Sequence, residues 1–216
     1  MNETDLCAIS TAYDRCRAWV AASVFLKLGQ VGVEPFDELQ GTDWDWLRID
    51  GAMTRAPLGE KTTGSNPTDL GKASVKRSVL TEGHGVPIGV AIDGANRHDM
   101  NLVCATIERM VVERPAPTEE RPQGMGLDKG YDDDDVRATL REVGFTAHIR
   151  SRGEEAQEIA REAGKRAGRW IVERSHRWLN RFRRVLIRWE QKPEHYLAFL
   201  HFACRAIAVR AVGLFG

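Results

Sequence analysis

Three apolar runs of strand length follow one another before any helix pattern intervenes: WLRID (46–50), VKRSVLT (75–81) and VPIGVAID (86–93). After them the text alternates. A helical pattern from Asp99 to about Val112 precedes MGLD (125–128), and DDDVRATLREV (133–143) precedes FTAHI (145–149). Strands in series followed by βαβα predict a mixed sheet with helices laid on it, an α/β architecture. If the first and fourth strands are neighbours, in the order 3-2-1-4, their carboxyl ends meet at a switch point, where ligands collect in open α/β sheets.

The rest of the chain is helical or polar. Residues 8–28 read as a helix with Trp19, Val20, Val24, Phe25 and Leu28 near one face, and a second short helix ends at about Gln40 after a break at Gly29, Gly32 and Pro35. Residues 52–73 hold three glycines and two prolines with almost nothing apolar, a long polar loop of the kind that is more often functional than idle. A long helix is expected from about Arg166 to Arg188, ended by Pro193, with a last helix over EHYLAFLHFACRAIAVRAV. The six tryptophans read as packing residues.

At 216 residues the chain suits one elaborated domain, or one domain with an appendage. Its 31 basic and 31 acidic side chains cancel, which excludes a uniformly basic coat and leaves local patches open. The sequence has no apolar run near the ~18 residues of a membrane span and no signal-peptide pattern at its start, so a soluble, cytoplasmic protein is expected. The four cysteines and six histidines have no zinc-site spacing.

Three carboxylates stand out by position. Asp50 and Asp128 each follow an apolar run and are followed within two residues by glycine. Two such groups side by side do not both stay ionised cheaply without a cation, and hard oxygen ligands suit Mg²⁺ or Mn²⁺. Glu173 is the third. It lies in a stretch from Arg161 to Lys192 with eleven basic and three acidic residues, a local net charge of +8. On a single helix Arg166, Arg169, Glu173, Arg177, Asn180 and Arg184 share one face, and guanidinium forks suit phosphate oxygens. Each feature also has a plain structural reading: a turn-forming Asp before Gly, an ion-pairing Glu, a solvated basic face. The acidic run Asp132–Asp135 reads as a helix N-terminal cluster.

WDWLRIDGAMTRAPLGEKTTGSNPTDLGK, VPIGVAIDGANRHDMNL, LDKGYD and WIVERSHRWLNRFRRVLIRWE…YLAFLHFACRAI together resemble the DDE transposases of the insertion-sequence-five group, collinearly from about residue 11 onward. The resemblance implies a ribonuclease-H-like catalytic domain over residues 43–216, with 1–42 the remnant of a helical N-terminal DNA-binding region. It implies Asp50, Asp128 and Glu173 as the acidic triad holding two Mg²⁺ or Mn²⁺ ions. It also implies cleavage at insertion-sequence ends, transfer into target DNA, and a homodimer that pairs two ends. In the family's C-terminal signature Arg169 and Glu173 match, while Arg166 stands at a Tyr position and Asn180 at a Lys position. Arg166, Arg169, Arg177, Asn180, Arg184, Lys129 and Tyr131 are the expected DNA contacts. A DNA clamp is expected from the polar loop, with Arg55, Lys61, Asn66, Lys72, Lys76 and Arg77 in it or just after it. A nuclease without strand transfer and an inactive DNA-binding fragment are the competing readings.

Overall fold

The computed structural model describes residues 8–150 and 169–213. Two helices come first, α1 (Ile9–Ala21) and α2 (Val24–Gln40), and then the strands β1 (Trp46–Arg55), β2 (Gly64–Ser65), β3 (Ala73–Thr81) and β4 (Pro87–Gly94). A 3₁₀ turn (Asp99–Leu102) leads into α3 (Val103–Ile107), followed by β5 (Gly124–Asp128), α4 (Asp134–Glu142) and β6 (Thr146–Arg150). The remaining described helices are α5 (Arg169–Leu179), α6 (Arg183–Leu186) and α7 (Pro193–Ala211).

The sheet runs β4-β3-β1-β5-β6, with the short β2 beside the start of β3. β3 is antiparallel to β1 and β4, whereas β1, β5 and β6 are parallel. The expected 3-2-1-4 order is therefore present, and helices flank the sheet as a ribonuclease-H-like arrangement requires. Side chains alternate along β1: Leu47 and Ile49 are fully buried, while Arg48 and Asp50 on the other face are half-buried. β5 is buried from Gly124 to Leu127, as a central parallel strand should be. One apolar cluster joins Leu47 and Ile49 to Met125, Leu140, Ile107 and Phe36, so α2 shares a core with the sheet. A second joins Val75, Val79 and Val90 to Leu179, Val185 and Leu200.

Several boundaries differ from expectation. The first helix breaks at Ser23, which takes a left-handed φ of 55°, and α2 then runs through Gly29, Gly32 and Pro35. Burial of Val33 and Phe36 outweighs the weak helix propensity of those residues. Asp99 does not cap a helix, since no side-chain cap bond forms at the 3₁₀ turn. The expected helix to Val112 stops at Ile107, and Met110 instead bridges to Gly89. The acidic run behaves as expected: the Asp133 carboxylate accepts from the Asp135 N–H at 2.9 Å and opens α4. Pro193 begins α7 at its first position, where a missing N–H costs nothing, rather than ending the helix before it. Trp44 and Trp178 lie against the core, whereas Trp19, Trp46, Trp170 and Trp189 are 43–51% exposed; Trp19 packs on Phe25, Trp46 on His148 and Trp170 under Arg174.

His201 on α7 is 6% exposed, and burial followed by the Arg109 charge pushes its imidazole down to about 4. A base with a depressed folded pKa stabilises the fold above its unfolded value, near 6.5, and that contribution is lost as the pH falls through about 4. His201→Met is expected to shrink the drop in unfolding free energy between pH 7 and pH 4 by roughly 3 kcal/mol. Urea titrations of both proteins at the two pH values measure it, and equal drops would show that the imidazole is not the source.

Candidate active site

β1 and β5 pair in parallel with Arg48 opposite Gly126. Carrying that register forward two residues sets Asp50 level with Asp128 on the same face of neighbouring strands, which lie about 4.8 Å apart. The sequence reading ended the first strand at Asp50. In the structure β1 continues to Arg55, because residues 48–55 remain paired with β3. Each carboxylate is held by the next peptide group: Asp50 Oδ1 accepts from the Gly51 N–H at 2.9 Å, and Asp128 Oδ1 from the Lys129 N–H at 2.7 Å.

Three further side chains gather here: Tyr131, which the sequence reading gave as a DNA contact, and two that it did not place. Tyr131 is 2% exposed and its hydroxyl has no hydrogen-bond partner among the described residues. Burial, and then the charges of Asp99, Asp50 and Asp128, push its phenol well above the usual range. This burial sets Tyr131 against carboxylates and away from the surface, where a DNA phosphate would be met. Asp99 is the second addition. Its Oδ1 lies 2.9 Å from the buried Lys76 Nζ, which also donates to the Arg97 carbonyl at 2.6 Å. A Cβ on residue 51 would sit 2.5 Å from that Asp99 oxygen and 3.4 Å from the Tyr131 hydroxyl, so the strand needs glycine there. The third is His176 on α5. Its ring is buried, neither nitrogen has a hydrogen-bond partner, and Nε2 lies 3.7 Å from Asp50 Oδ2. Burial and then the Arg77 charge push this imidazole down to about 3, while contact with the Asp50 main-chain carbonyl pulls the other way, so it is neutral at pH 7.

Glu173 stands one turn before His176 on α5, half-buried, on a helix that packs against β1. The i, i+3 spacing puts it on the His176 side of that helix. Among the described residues, no three His, Cys, Asp or Glu side chains close to metal-ligand geometry. The chemistry of the set nonetheless fits a hard divalent cation: two levelled carboxylates, half open to solvent, with a third on the adjoining helix.

The basic face is not one helix. α5 ends at Leu179, residues 180–182 turn, and α6 covers only Arg183–Leu186. The Val185 carbonyl, which a continuing helix would offer to the residue 189 N–H, instead accepts from Arg77 Nη1 at 3.3 Å and from the Tyr196 hydroxyl at 2.9 Å. Asn180 and Arg184 are therefore not in line with Arg177. The Asn180 amide oxygen takes the Arg77 guanidinium at 2.5 Å, a structural partner. Arg184 is exposed and pairs with Glu190 at 3.0 Å. Arg177 and Lys129 are exposed. Arg169 begins α5, and Arg166 lies outside the described residues.

The polar loop is also reassigned in part. Lys76, Arg77 and Asn66 are buried at 2–6% exposure, which removes them from any surface that grips a ligand. Arg55 and Lys72 both pair with Asp69, at 2.6 and 3.4 Å, and tie the loop to itself.

Known proteins agree on the family. Residues 41–207 match the family described as Transposase DDE domain. A Burkholderia cepacia protein, the putative transposase for insertion sequence element IS402, is 33% identical over 148 residues, which are 68% of each chain. Among solved structures, a piggyBac transposase synaptic complex with hairpin DNA aligns with a TM-score of 0.41 at 11% identity, covering 82% of this chain and 51% of that one. A pre-cleavage Mos1 transpososome aligns at 0.37 and 10%, covering 89% of this chain and 64% of the other. The chain thus spans about half the piggyBac transposase chain it matches. With the family matched over residues 41–207 and a relative 33% identical over two thirds of both chains, the chain belongs to the DDE-domain transposase family.

Proposed function

We propose that this chain is a transposase of the insertion-sequence-five group, cutting DNA at insertion-sequence ends and joining the freed 3′ ends to a target duplex. The observation that carries the proposal is the parallel β1–β5 pairing that levels Asp50 with Asp128, in a chain of this family. Asp50, Asp128 and Glu173 would hold two Mg²⁺ or Mn²⁺ ions, which when bound polarise a phosphodiester and make water or a 3′-hydroxyl a stronger nucleophile. The protein's own part is to keep both strand carboxylates oriented, which the Gly51 and Lys129 N–H groups support. Arg166, Arg169, Arg177, Arg184 and Lys129 would contact phosphates and position the strand without reading its sequence. Asn180 and Tyr131 serve better as internal partners, given their contacts with Arg77 and the carboxylates. Two chains would act together, one on each element end, with residues 1–42 contributing to DNA contact. Among the described residues, no helix is long and apolar enough to cross a membrane.

The test is a strand-transfer assay with purified chain, Mn²⁺, a labelled element-end duplex and a second duplex. Nicking followed by joining to the second duplex is expected. Nicking without joining would reassign the protein as a hydrolytic nuclease. Binding without nicking would make it an inactive DNA-binding fragment.

A further inference from the structure

His176 is a buried polar group beside Asp50 for which neither the fold nor the proposed chemistry gives a role. More than nine in ten buried polar groups are hydrogen-bonded, yet both its nitrogens lack a hydrogen-bond partner among the described residues. Asp50 meets the ring with its main-chain carbonyl and with a charged acceptor, Oδ2, which lies 3.7 Å from Nε2. That distance is a contact and not yet a hydrogen bond. Hydrogen bonds around reacting groups are commonly long in the free protein and tighten in the loaded one. The other Asp50 oxygen is already occupied, since Oδ1 accepts from the Gly51 N–H at 2.9 Å.

We propose that His176 is a positioning residue for Asp50, its Nε2–H directed at Oδ2 while the Gly51 N–H holds Oδ1. This role rests on Asp50 being one of the catalytic carboxylates. Clamped at both oxygens, the carboxylate keeps a single rotamer, and each oxygen retains a lone pair for a cation. A neutral imidazole has one donor and one acceptor nitrogen, and a carboxylate only accepts, so the tautomer with its proton on Nε2 is the one that fits. The contact has a second consequence. His176 and Glu173 are one turn apart on α5, so the pairing that orients Asp50 also fixes the height at which Glu173 approaches β1. Histidine therefore ties the helix-borne carboxylate to the strand-borne one.

The experiment compares His176→Phe, which keeps the ring shape without nitrogen, with His176→Gln, which keeps an N–H donor. Isothermal titration of the full chain with Mn²⁺ is the primary readout, and the Mn²⁺ concentration for half-maximal nicking is the second. Outer partners of metal-binding carboxylates are worth about 10–100-fold in affinity or activity. His176→Phe is expected to weaken Mn²⁺ binding by that factor with an unchanged or higher melting temperature, and His176→Gln to recover most of it. Wild-type Mn²⁺ binding in His176→Phe overturns the proposal, as does equal weakening in the Phe and Gln variants, which would report packing alone. If His176→Phe fails to fold, His176→Met replaces it under the same criteria. Loss of Mn²⁺ binding in Asp128→Asn alongside wild-type binding in His176→Phe sinks the positioning role and leaves the transposase reading standing. Absence of Mn²⁺ binding and of nicking in the wild-type chain sinks both.

Discussion

Asp128→Asn is expected to lower Mn²⁺-dependent nicking of an element-end duplex by about three orders of magnitude, with little change in the melting temperature of the metal-free protein. The substitution keeps shape and keeps the local bond, because an amide oxygen still accepts from the Lys129 N–H that now meets Oδ1 at 2.7 Å. What it removes is one negative charge from a levelled pair. A cation held at such a site contributes several kcal/mol to stabilising the transition state, and about 4 kcal/mol corresponds to roughly a thousandfold in rate. Without metal, losing one of two adjoining like charges relieves repulsion, so the metal-free variant should melt at the wild-type temperature or slightly above it. Added Mn²⁺ should raise the wild-type melting temperature and not that of the variant, since only the protein that binds the ion is stabilised by it. Single-turnover nicking and melting curves with and without Mn²⁺ settle the matter together. A variant that nicks within tenfold of the wild-type rate would exclude Asp128 from the site.

The strand order, and with it the adjacency of the strands that carry Asp50 and Asp128, was legible because it depends on local patterns. An apolar run, a carboxylate and a glycine recur at Asp50 and Asp128, and chain order constrains which strands adjoin. The inward-facing partners of those aspartates were not legible in that role, although Tyr131 was named for its place beside Asp128. Tyr131, Asp99 and His176 reach the pair from three different elements, and nothing in the spacing of KGYD, RHDM or ERSH marks the ring or carboxylate that turns inward. The long basic helix misled for a related reason. Its periodicity is real over α5, but the bonds that stop it come from Arg77 on β3 and Tyr196 on α7, about 100 residues and 11 residues from Val185. Charge was a poor guide to exposure. Lys76, Arg77 and Arg188 look like surface cations in the text, yet each is buried and meets carbonyls or a carboxylate there. The sequence signal that would have helped is modest: Lys76 and Arg77 interrupt an otherwise apolar central strand, where a cation survives only with dedicated partners.

Arg188 gives the largest stability effect. It is fully buried, and its guanidinium is spent on main-chain carbonyls. Nε donates to the Glu190 carbonyl at 2.9 Å, Nη1 to that of Thr62 at 3.1 Å and Nη2 to that of Gln191 at 2.8 Å. Its own N–H donates to the Arg55 carbonyl at 2.8 Å, so one residue pins the end of β1, the loop after it and the segment leading into α7. Arg188→Met fills a similar volume but removes the guanidinium from three carbonyls; that of Gln191 keeps the Glu60 N–H at 3.3 Å, while those of Glu190 and Thr62 lose their donor, each a desolvation cost of about 1–3 kcal/mol when unrelieved. Partial access of water to the loop lowers the sum, and a loss of about 3–5 kcal/mol is expected. For a chain of this size that is a fall in melting temperature of about 10–15 °C. Arg188→Lys should recover only part of it, because an ammonium is a point donor and does not span three carbonyls laid out for a planar fork. Arg183→Met, at an exposed position five residues earlier, is the control and should stay within about 0.5 kcal/mol of wild type. Urea unfolding of the three variants decides it: if Arg188→Met and Arg183→Met prove equally stable, the carbonyl cluster does not hold the loop, and the buried guanidinium contributes only bulk.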